Sequence, residues 1–244
     1  MIEIKNVKIS FGEQNVLNGL NLKITKGETL VIIGKSGCGK SVLLKLIIGL
    51  LKPDEGQIFV EGIDINKIKI KELYALRKKF GFLFQGGALF DSMSVGENVG
   101  LALKENTGMS PAEIAAVVQE KLEMVGLPGS QNLRPSSLSG GMKKRVSLAR
   151  SLATNPDYIL YDEPTTGLDP VMSDSIDDLI KEITLKQKVT SIVVTHDIFS
   201  VYDVADRVAL MDRGVIYFEG TPKELTETND VLIRHFLHRT DKKI

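Results

Sequence analysis

Several features that mark special classes of protein are scarce in this chain of 244 residues. A single cysteine excludes an intramolecular disulfide framework and fits a reducing compartment. The 31 basic and 31 acidic side chains leave no formal net charge, so nothing in the balance predicts nucleic acid as a bulk electrostatic partner. Eight prolines are too few for an extended linker protein. With 43% hydrophobic and 25% charged residues, the composition indicates a folded globular protein.

Long apolar runs are missing as well. The most apolar stretch, residues 43–51, contains Lys45 and is far shorter than the roughly 20 residues that span a bilayer. The first residues, Met-Ile-Glu-Ile-Lys, do not resemble a signal peptide. We therefore expect a chain that does not cross a membrane itself.

The first third of the chain is rich in strand patterns. Apolar residues alternate in short runs over residues 2–33, which predicts antiparallel strands and then a strand at 29–33 that ends in glycines. A helix over residues 41–51 is apolar around most of its circumference, closed by Gly49 and Pro53. Further strands are predicted at 57–60 and 81–84, with a short charged helix between them at about 71–79.

From residue 86 to about 153 the strand patterns vanish, and amphipathic helices are predicted at 111–125 and 142–152. Beyond this helical insertion, strands and helices alternate, which predicts a parallel sheet covered on both faces. The predicted strands are 158–161, 191–195 and 208–211, and the helices between them are 170–186 and 198–204. Two short helical patterns, 223–226 and 231–238, complete the chain.

A glycine-rich motif follows the strand at 29–33 and opens the apolar helix, which is the setting of a phosphate-binding P-loop. Its glycines allow backbone N–H groups to surround a phosphate; Lys40 adds a cation, Ser41 a hydroxyl for Mg²⁺, and the helix N-terminus a partial positive charge. An ordinary glycine-rich turn is the alternative, as is a redox role for the cysteine within it. The predicted nucleotide-binding residues are Gly34, Lys35, Ser36, Gly37, Cys38, Gly39, Lys40 and Ser41.

Two acidic residues end the strand at 158–161. A P-loop needs an acid at the end of a neighbouring parallel strand to hold Mg²⁺, and Asp162 is predicted to be that ligand. Glu163 follows directly and can accept a proton from the water that attacks the γ-phosphate. The alternative is a pair of solvated acids at a strand end.

A second glycine motif, Ser139-Gly140-Gly141, precedes Met142 and the basic run Lys143-Lys144-Arg145. A serine N-cap followed by two glycines leaves N–H groups at a helix N-terminus that suit a γ-phosphate. With the P-loop, it makes residues 1–225 resemble the ATP-binding subunit of an ABC transporter. In that family the serine loop closes on the nucleotide of a second subunit. An ordinary solvated helix face is the alternative for the basic run.

The resemblance implies the fold and four further site residues. It predicts an α/β P-loop NTPase with a parallel core sheet, an N-terminal antiparallel β-subdomain and a helical subdomain inserted at about residues 86–153. Phe11 resembles the aromatic that stacks on adenine, with a core phenylalanine as the alternative. Gln85 resembles the glutamine that senses Mg²⁺ and the attacking water, Asp169 belongs to a loop at the dimer interface, and His196 resembles the histidine that contacts the γ-phosphate and the catalytic acid.

Two positions depart from the family pattern. Met142 stands where most members have glutamine, which puts a polar contact across the dimer in doubt. Tyr161 replaces an aliphatic residue before Asp162. Neither change removes an acid or the Ser-Gly-Gly core, so hydrolysis is still expected, with Glu163, His196 and Gln85 as catalytic residues and Ser41, Gln85 and Asp162 around Mg²⁺.

The glycine-rich, apolar segment 82–99 makes the chain similar to the ATPases of Mla-type systems, which work with MCE-domain proteins to move phospholipid between bacterial membranes. The resemblance implies a head-to-tail dimer that shares two ATP sites, a membrane permease and a peripheral location on the cytoplasmic face of the inner membrane. In this interpretation, small residues beside Leu89 and Phe90 form a cleft for a partner helix. Amino-acid or drug-like cargo, or a soluble ABC-type switch, are the alternatives. In the tail, 226–244, the default prediction is packing on the same subunit, with the second copy or a regulator as alternatives, through Val231, Leu232, Phe236 and Leu237.

Overall fold

The computed structural model describes the backbone of residues 1–241 and the side chains of residues 1–237; residues 242–244 of the predicted tail lie outside this part. The strands are Ile2–Phe11 (β1), Gln14–Ile24 (β2), Thr29–Ile33 (β3), Glu55–Val60 (β4), Ile63–Asp64 (β5), Phe80–Leu83 (β6), Tyr158–Asp162 (β7), Thr190–Thr195 (β8), Arg207–Asp212 (β9) and Val215–Gly220 (β10). The helices are Lys40–Ile47 (α1), Ile70–Arg77 (α2), Val95–Asn106 (α3), Pro111–Met124 (α4), Gly140–Leu152 (α5), Pro170–Gln187 (α6), Ile198–Val204 (α7), Pro222–Glu227 (α8) and Val231–Asp241 (α9).

The strands form two sheets. An antiparallel sheet has the order β2-β1-β4-β5, and a six-stranded sheet has the order β10-β9-β3-β8-β7-β6. In the second sheet all neighbours are parallel except β9 and β10. The predicted α/β architecture, with an antiparallel N-terminal subdomain and helices inserted between β6 and β7, is confirmed.

The parallel sheet is buried on both faces, and β3 shows how the sequence achieves this. Val31 and Ile33 belong to the core shared with the inserted helices, α6 and α7, whereas Leu30 and Ile32 belong to the core shared with α1 and the antiparallel sheet. Successive side chains on a strand point to opposite faces, so a continuous run of apolar residues serves two cores. The strand is thereby held rigidly at the point where the P-loop begins.

α1 is shorter than the predicted helix because it ends in a glycine cap. Its last helical residue is Ile47, and Gly49 adopts a left-handed φ of 64°. The N–H of Gly49 bonds to the carbonyl of Leu46, and that of Leu50 bonds to the carbonyl of Lys45. These two bonds are the Schellman motif, for which glycine is the favoured residue.

The segment between β6 and β7 contains three α-helices and the short 3₁₀ helix Pro135–Ser137, and α3 was not predicted. Its start carries a capping box, in which Ser94 and Glu97 satisfy each other's backbone N–H groups. Gly96 and Gly100 lower its intrinsic helix propensity and break its apolar pattern. Both glycines lie in confined positions, because a Cβ at Gly96 would lie 3.1 Å from the Gln131 carbonyl oxygen and one at Gly100 would lie 2.9 Å from Ile114 Cγ2.

The described part of the tail packs on its own chain, as predicted. Ile233 of α9 is buried, and Leu232, Phe236 and Leu237 pack against the core around α6 and α7. Val231 was expected to join them but is 83% exposed. Within residues 1–241, no helix is both long enough and apolar enough to span a bilayer.

Candidate active site

The P-loop links β3 to α1 at the carboxyl edge of the parallel sheet. Gly39 occupies the N-cap position of α1 in a left-handed conformation, with φ of 105° and no side-chain cap. A Cβ on Gly34 would lie 2.4 Å from the carbonyl oxygen of Met211, so only glycine fits there. A helix N-terminus without a side-chain cap is suited to an anion such as phosphate.

The ammonium of Lys40 lies inside this loop. It donates to the carbonyl oxygens of Gly34 at 2.7 Å and Lys35 at 3.3 Å, and it is 3.6 Å from Glu163 Oε1. The loop thus holds a buried cation beside the predicted catalytic acid, where the γ-phosphate of a nucleotide would meet both.

Ser41 and Asp162 are in direct contact. The Ser41 hydroxyl donates to Asp162 Oδ1 at 2.7 Å. Burial raises the pKa of Asp162, the Ser41 hydrogen bond lowers it and the nearby Glu163 charge raises it. A hydroxyl and a carboxylate are oxygen ligands that fit Mg²⁺, and a cation there would favour the charged carboxylate. These two residues therefore fit the predicted Mg²⁺ site.

Gln85 follows β6, and the contact that it makes within the site is through its backbone carbonyl. Across residues 1–237, no hydrogen bond joins the Gln85 side chain to Ser41 or Asp162, and the residue is exposed. Its carbonyl is held by Lys144 instead. Its proposed place beside Mg²⁺ thus has no contact to support it in this structure.

Glu163 is the most strongly held of the predicted catalytic residues. It is only 8% exposed and has a left-handed φ of 51°, which is uncommon outside glycine. Its Oε2 accepts from Thr166 Oγ1 at 3.0 Å and lies 2.7 Å from His196 Nδ1. A carboxylate oriented in this way, with its other oxygen facing Lys40, can take a proton from a water bound at the γ-phosphate. The alternative of two solvated acids is wrong, because Asp162 and Glu163 are both buried.

The second glycine motif caps α5. Ser139 is the N-cap residue, its Oγ accepts from the Met142 N–H at 3.3 Å, and Ser139 and Gly140 are exposed. Met142 is half-buried and packs against the core, so this departure from the family pattern fills an apolar position in the free subunit. Among the residues described, no hydrogen bond or ion pair joins Ser139 to the P-loop of the same chain.

The remaining predicted residues lie at the edges of the site. Phe11 is 49% exposed at the end of β1, so it is not a core phenylalanine and its ring is accessible for stacking. Asp169 caps α6 by accepting from the Met172 N–H at 3.0 Å. Burial raises the pKa of the Cys38 thiol, which disfavours the reactive thiolate and supports a tolerated small residue.

Sequence reasoning missed two residues that contact the predicted catalytic acid. Thr166 donates to the Glu163 carboxylate, and nothing in the sequence distinguishes it from other loop threonines. Lys144 donates to the Glu163 carbonyl, although it belongs to the basic run that has a solvated helix face as its alternative. The basic run does not form a single solvated face. Lys144 is 6% exposed, and the Arg145 guanidinium donates to the Val125 carbonyl and to the Ser175 hydroxyl.

Comparison with known proteins agrees with this geometry. The family model described as ABC transporter matches residues 17–166. The intermembrane phospholipid transport system ATP-binding protein MlaF of Haemophilus influenzae is 42% identical over 97% of this chain and 90% of its own length. The probable ribonucleotide transport ATP-binding protein mkl of Mycobacterium leprae is 41% identical over 97% of this chain and 68% of its own.

A solved structure matches over nearly the whole chain. It is the dimeric structure of a post-hydrolysis state of an ATP-binding cassette bound to ADP and Pi, with a TM-score of 0.83 and 36% identity over 91% of this chain and 99% of the other. The predicted resemblance and the predicted ATPase activity are both confirmed. The chain therefore belongs to the ABC transporter family, as an ATP-binding subunit that hydrolyses ATP.

Proposed function

We propose that this ATPase drives a transporter that moves phospholipid between bacterial membranes, with a membrane permease and an MCE-domain protein as partners. The observation that carries the proposal is the 42% identity to MlaF, which extends over 97% of this chain and 90% of the relative. Ribonucleotide cargo is the second candidate, because mkl is 41% identical, although the match leaves about a third of that longer protein uncovered. The ATPase is proposed to lie peripherally on the cytoplasmic face of the inner membrane.

The proposed cycle needs two copies of the chain. ATP binds the P-loop of one copy through Lys40 and Ser41, with its adenine on Phe11, and Ser139 and Gly141 of the other copy close on the γ-phosphate. Asp169 lies at the same interface. The dimeric state of the matching cassette and the exposure of Ser139 support this head-to-tail arrangement.

In the proposed hydrolysis step, Glu163 takes a proton from water as the water oxygen attacks the γ-phosphorus and ADP leaves. His196 orients the Glu163 carboxylate and Gln85 orients the water. Ser41 and Asp162 would hold Mg²⁺, with Gln85 as its third predicted ligand. When bound, Mg²⁺ neutralises charge on the phosphates. The contacts of Glu163 with His196 and Thr166 support this assignment.

A groove between α3 and α4 supports the proposed permease. It encloses about 630 Å³ and is lined by small and apolar side chains with polar ones at intervals. A partner helix docks in such a groove through apolar side chains at helical spacing. Leu89 and Phe90, where the cleft was expected, do not line it; its walls include Gly96, Gly100, Leu101, Met109, Ala115 and Val118.

The groove can be tested by filling it with a charged side chain. Ala115 is exposed and lines the groove, so Ala115→Arg should reduce recovery of the permease at least tenfold while basal ATPase activity stays within twofold. The measurement is quantitative mass spectrometry of tagged complexes from gently solubilised membranes. Ala116→Arg is the matched control, because Ala116 is also exposed on α4 but does not line the groove. Equal recovery from both variants would place the permease elsewhere.

The same purification from wild-type cells tests the proposed function. A permease with an MCE-domain protein and bound phospholipid would support it. A permease with a soluble solute-binding protein, or with ribonucleotide, would leave the ATPase intact and replace the cargo. Recovery of the protein from the soluble fraction alone would favour an ATP-dependent switch.

A further inference from the structure

Lys144 holds two separate loops of the active site with one ammonium group. It lies near the start of α5 and is 6% exposed. Its Nζ donates to the carbonyl oxygen of Gln85 at 2.5 Å and to that of Glu163 at 3.1 Å. The residues it joins are 59 and 19 positions away in the sequence, so no local structure produces this contact.

The two carbonyls lie where neighbouring strands separate. β6 and β7 are paired in parallel up to Leu83 and Tyr161, and Gln85 and Glu163 follow two residues later on each strand. Beyond Leu83 and Tyr161 no ladder bond fixes the distance between the β6 and β7 segments, although β8 still holds the Glu163 N–H through the Val194 carbonyl at 2.9 Å. The ammonium of Lys144 takes over that task, because a charged donor forms stronger hydrogen bonds than a neutral one.

Burial of the Lys144 ammonium costs hydration free energy, and the need to fill space does not explain why this buried side chain carries a charge. Removal from water lowers the pKa of Lys144, and the charges of Asp162 and Glu163 only partly oppose the effect. An apolar side chain would fill the same space without losing hydration. The ammonium is therefore best explained by the two carbonyls that it satisfies.

We propose that Lys144 is a positioning residue for ATP hydrolysis, which fixes Gln85 and Glu163 relative to each other and to the start of α5. The inference rests on the catalytic roles proposed for those two residues. Because Ser139 is the N-cap of α5, five positions before Lys144, closure of that serine on the partner's nucleotide would be transmitted along the first turns of the helix to Glu163 of its own site. Lys144 itself touches neither nucleotide nor water in this mechanism.

Lys144→Met tests the proposal, because methionine is an unbranched side chain only one atom shorter than lysine and has no donors. We expect kcat to fall ten- to a hundredfold while KM and the Kd for ATP stay within twofold, since small displacements of a catalytic group cost up to about 100-fold. Lys144→Gln, which keeps a neutral N–H donor on a shorter side chain, should have an intermediate kcat. Lys143→Met is the matched control, because Lys143 makes neither contact, and it should behave as wild type.

A double-mutant cycle separates positioning from general damage. In a Glu163→Gln background, Lys144→Met should lower the residual rate less than threefold, because the base through which Lys144 acts is already absent. An equal loss in both backgrounds, a loss of ATP affinity that matches the loss of kcat, or a wild-type kcat for Lys144→Met would overturn the inference.

Two further outcomes keep the test decisive. If Lys144→Met does not fold, Lys144→Gln replaces it: a lowered kcat at unchanged ATP affinity supports positioning, and a wild-type kcat contradicts it. If Glu163→Gln hydrolyses ATP at the wild-type rate, the proposed base is wrong, and the inference falls with it. If Lys144→Met has a wild-type kcat and Glu163→Gln is inactive, the positioning role of Lys144 is wrong and the role of Glu163 as the base is kept.

Discussion

Glu163→Gln is expected to lower kcat for ATP hydrolysis by at least 100-fold while ATP binding is retained. The amide keeps the shape of the side chain and can still face Thr166 and His196, which lie 3.0 and 2.7 Å from the carboxylate. It cannot accept a proton from water, and a positioned general base contributes about 10²–10⁴ in rate. Phosphate release and equilibrium binding of ATP measure the two quantities separately.

The same variant should accumulate as an ATP-bound dimer, because closure no longer ends in hydrolysis. Light scattering after size-exclusion chromatography in ATP and Mg²⁺ should show twice the mass seen in ADP. Thr166→Val is the control for a loss of orientation alone, since it removes one hydrogen bond to Oε2 and keeps the carboxylate; its kcat should fall less than tenfold. Wild-type turnover by Glu163→Gln would remove Glu163 as the base.

The nucleotide-binding half of the site was predictable because its chemistry is contiguous in sequence. The glycines, Lys40 and Ser41 occupy one loop between a strand and a helix, and Asp162 ends a strand whose apolar run is plain. The contact between Ser41 and Asp162 then follows from parallel strands, whose carboxyl ends meet at one edge of the sheet. Motif and topology together place these groups without knowledge of side-chain packing.

The contacts that orient the site were not predictable in the same way. Lys144 belongs to a run of three basic residues, which is typical of a solvated helix face, and only the fold brings the Gln85 carbonyl 59 positions away to its ammonium. α3 was missed for a different reason. Its capping box was readable at Ser94 and Glu97, but two glycines in confined positions obscured the helical pattern.

A buried acid outside the catalytic site should give this protein an unusual dependence of stability on pH. Asp177 of α6 is 3% exposed; its Oδ2 accepts from Ser200 Oγ of α7 at 2.6 Å, and its Oδ1 has no partner. Burial raises the pKa of Asp177 to about 7, and the charges of Asp197, Asp203 and Asp174 reinforce the shift. The contact joins the helix that follows Asp169 to the helix that follows His196.

The sign of the effect follows from proton binding. Between pH 4 and 7 the folded chain keeps the Asp177 proton, while the unfolded chain loses it near 3.8, the ordinary value. The free energy of unfolding contributed by this group therefore falls as pH rises through that window, and levels off above about 7. The difference between the pKa of 3.8 in the unfolded chain and about 7 in the folded chain corresponds to a total loss of about 4 kcal/mol in the free energy of unfolding, at 1.36 kcal/mol per pH unit.

Asp177→Asn should have almost no effect on stability at pH 5 and should stabilise the fold at pH 8. At pH 8 it removes a buried charge, and after about 1–2 kcal/mol for an unpaired amide N–H the free energy of unfolding should rise by about 2 kcal/mol, or about 4–8 °C in Tm. At pH 5 the folded acid is neutral, but the unfolded acid is ionised, so the wild type has already lost about 1.6 kcal/mol; removing this loss roughly cancels the cost of the unpaired N–H, and Tm should stay nearly unchanged. Thermal unfolding across this pH range measures both.

Asp178→Asn is the matched control, because Asp178 is the next residue on α6 and is exposed. It should follow the wild-type dependence on pH, with Tm within about 1 °C at each point. A destabilised Asp177→Asn at pH 8 would mean that the wild-type carboxylate is tolerated as an ion, held by Ser200 and by solvent that reaches Oδ1. The sign of one difference in Tm at pH 8 therefore decides whether α6 and α7 are joined through a neutral acid or a buried charge.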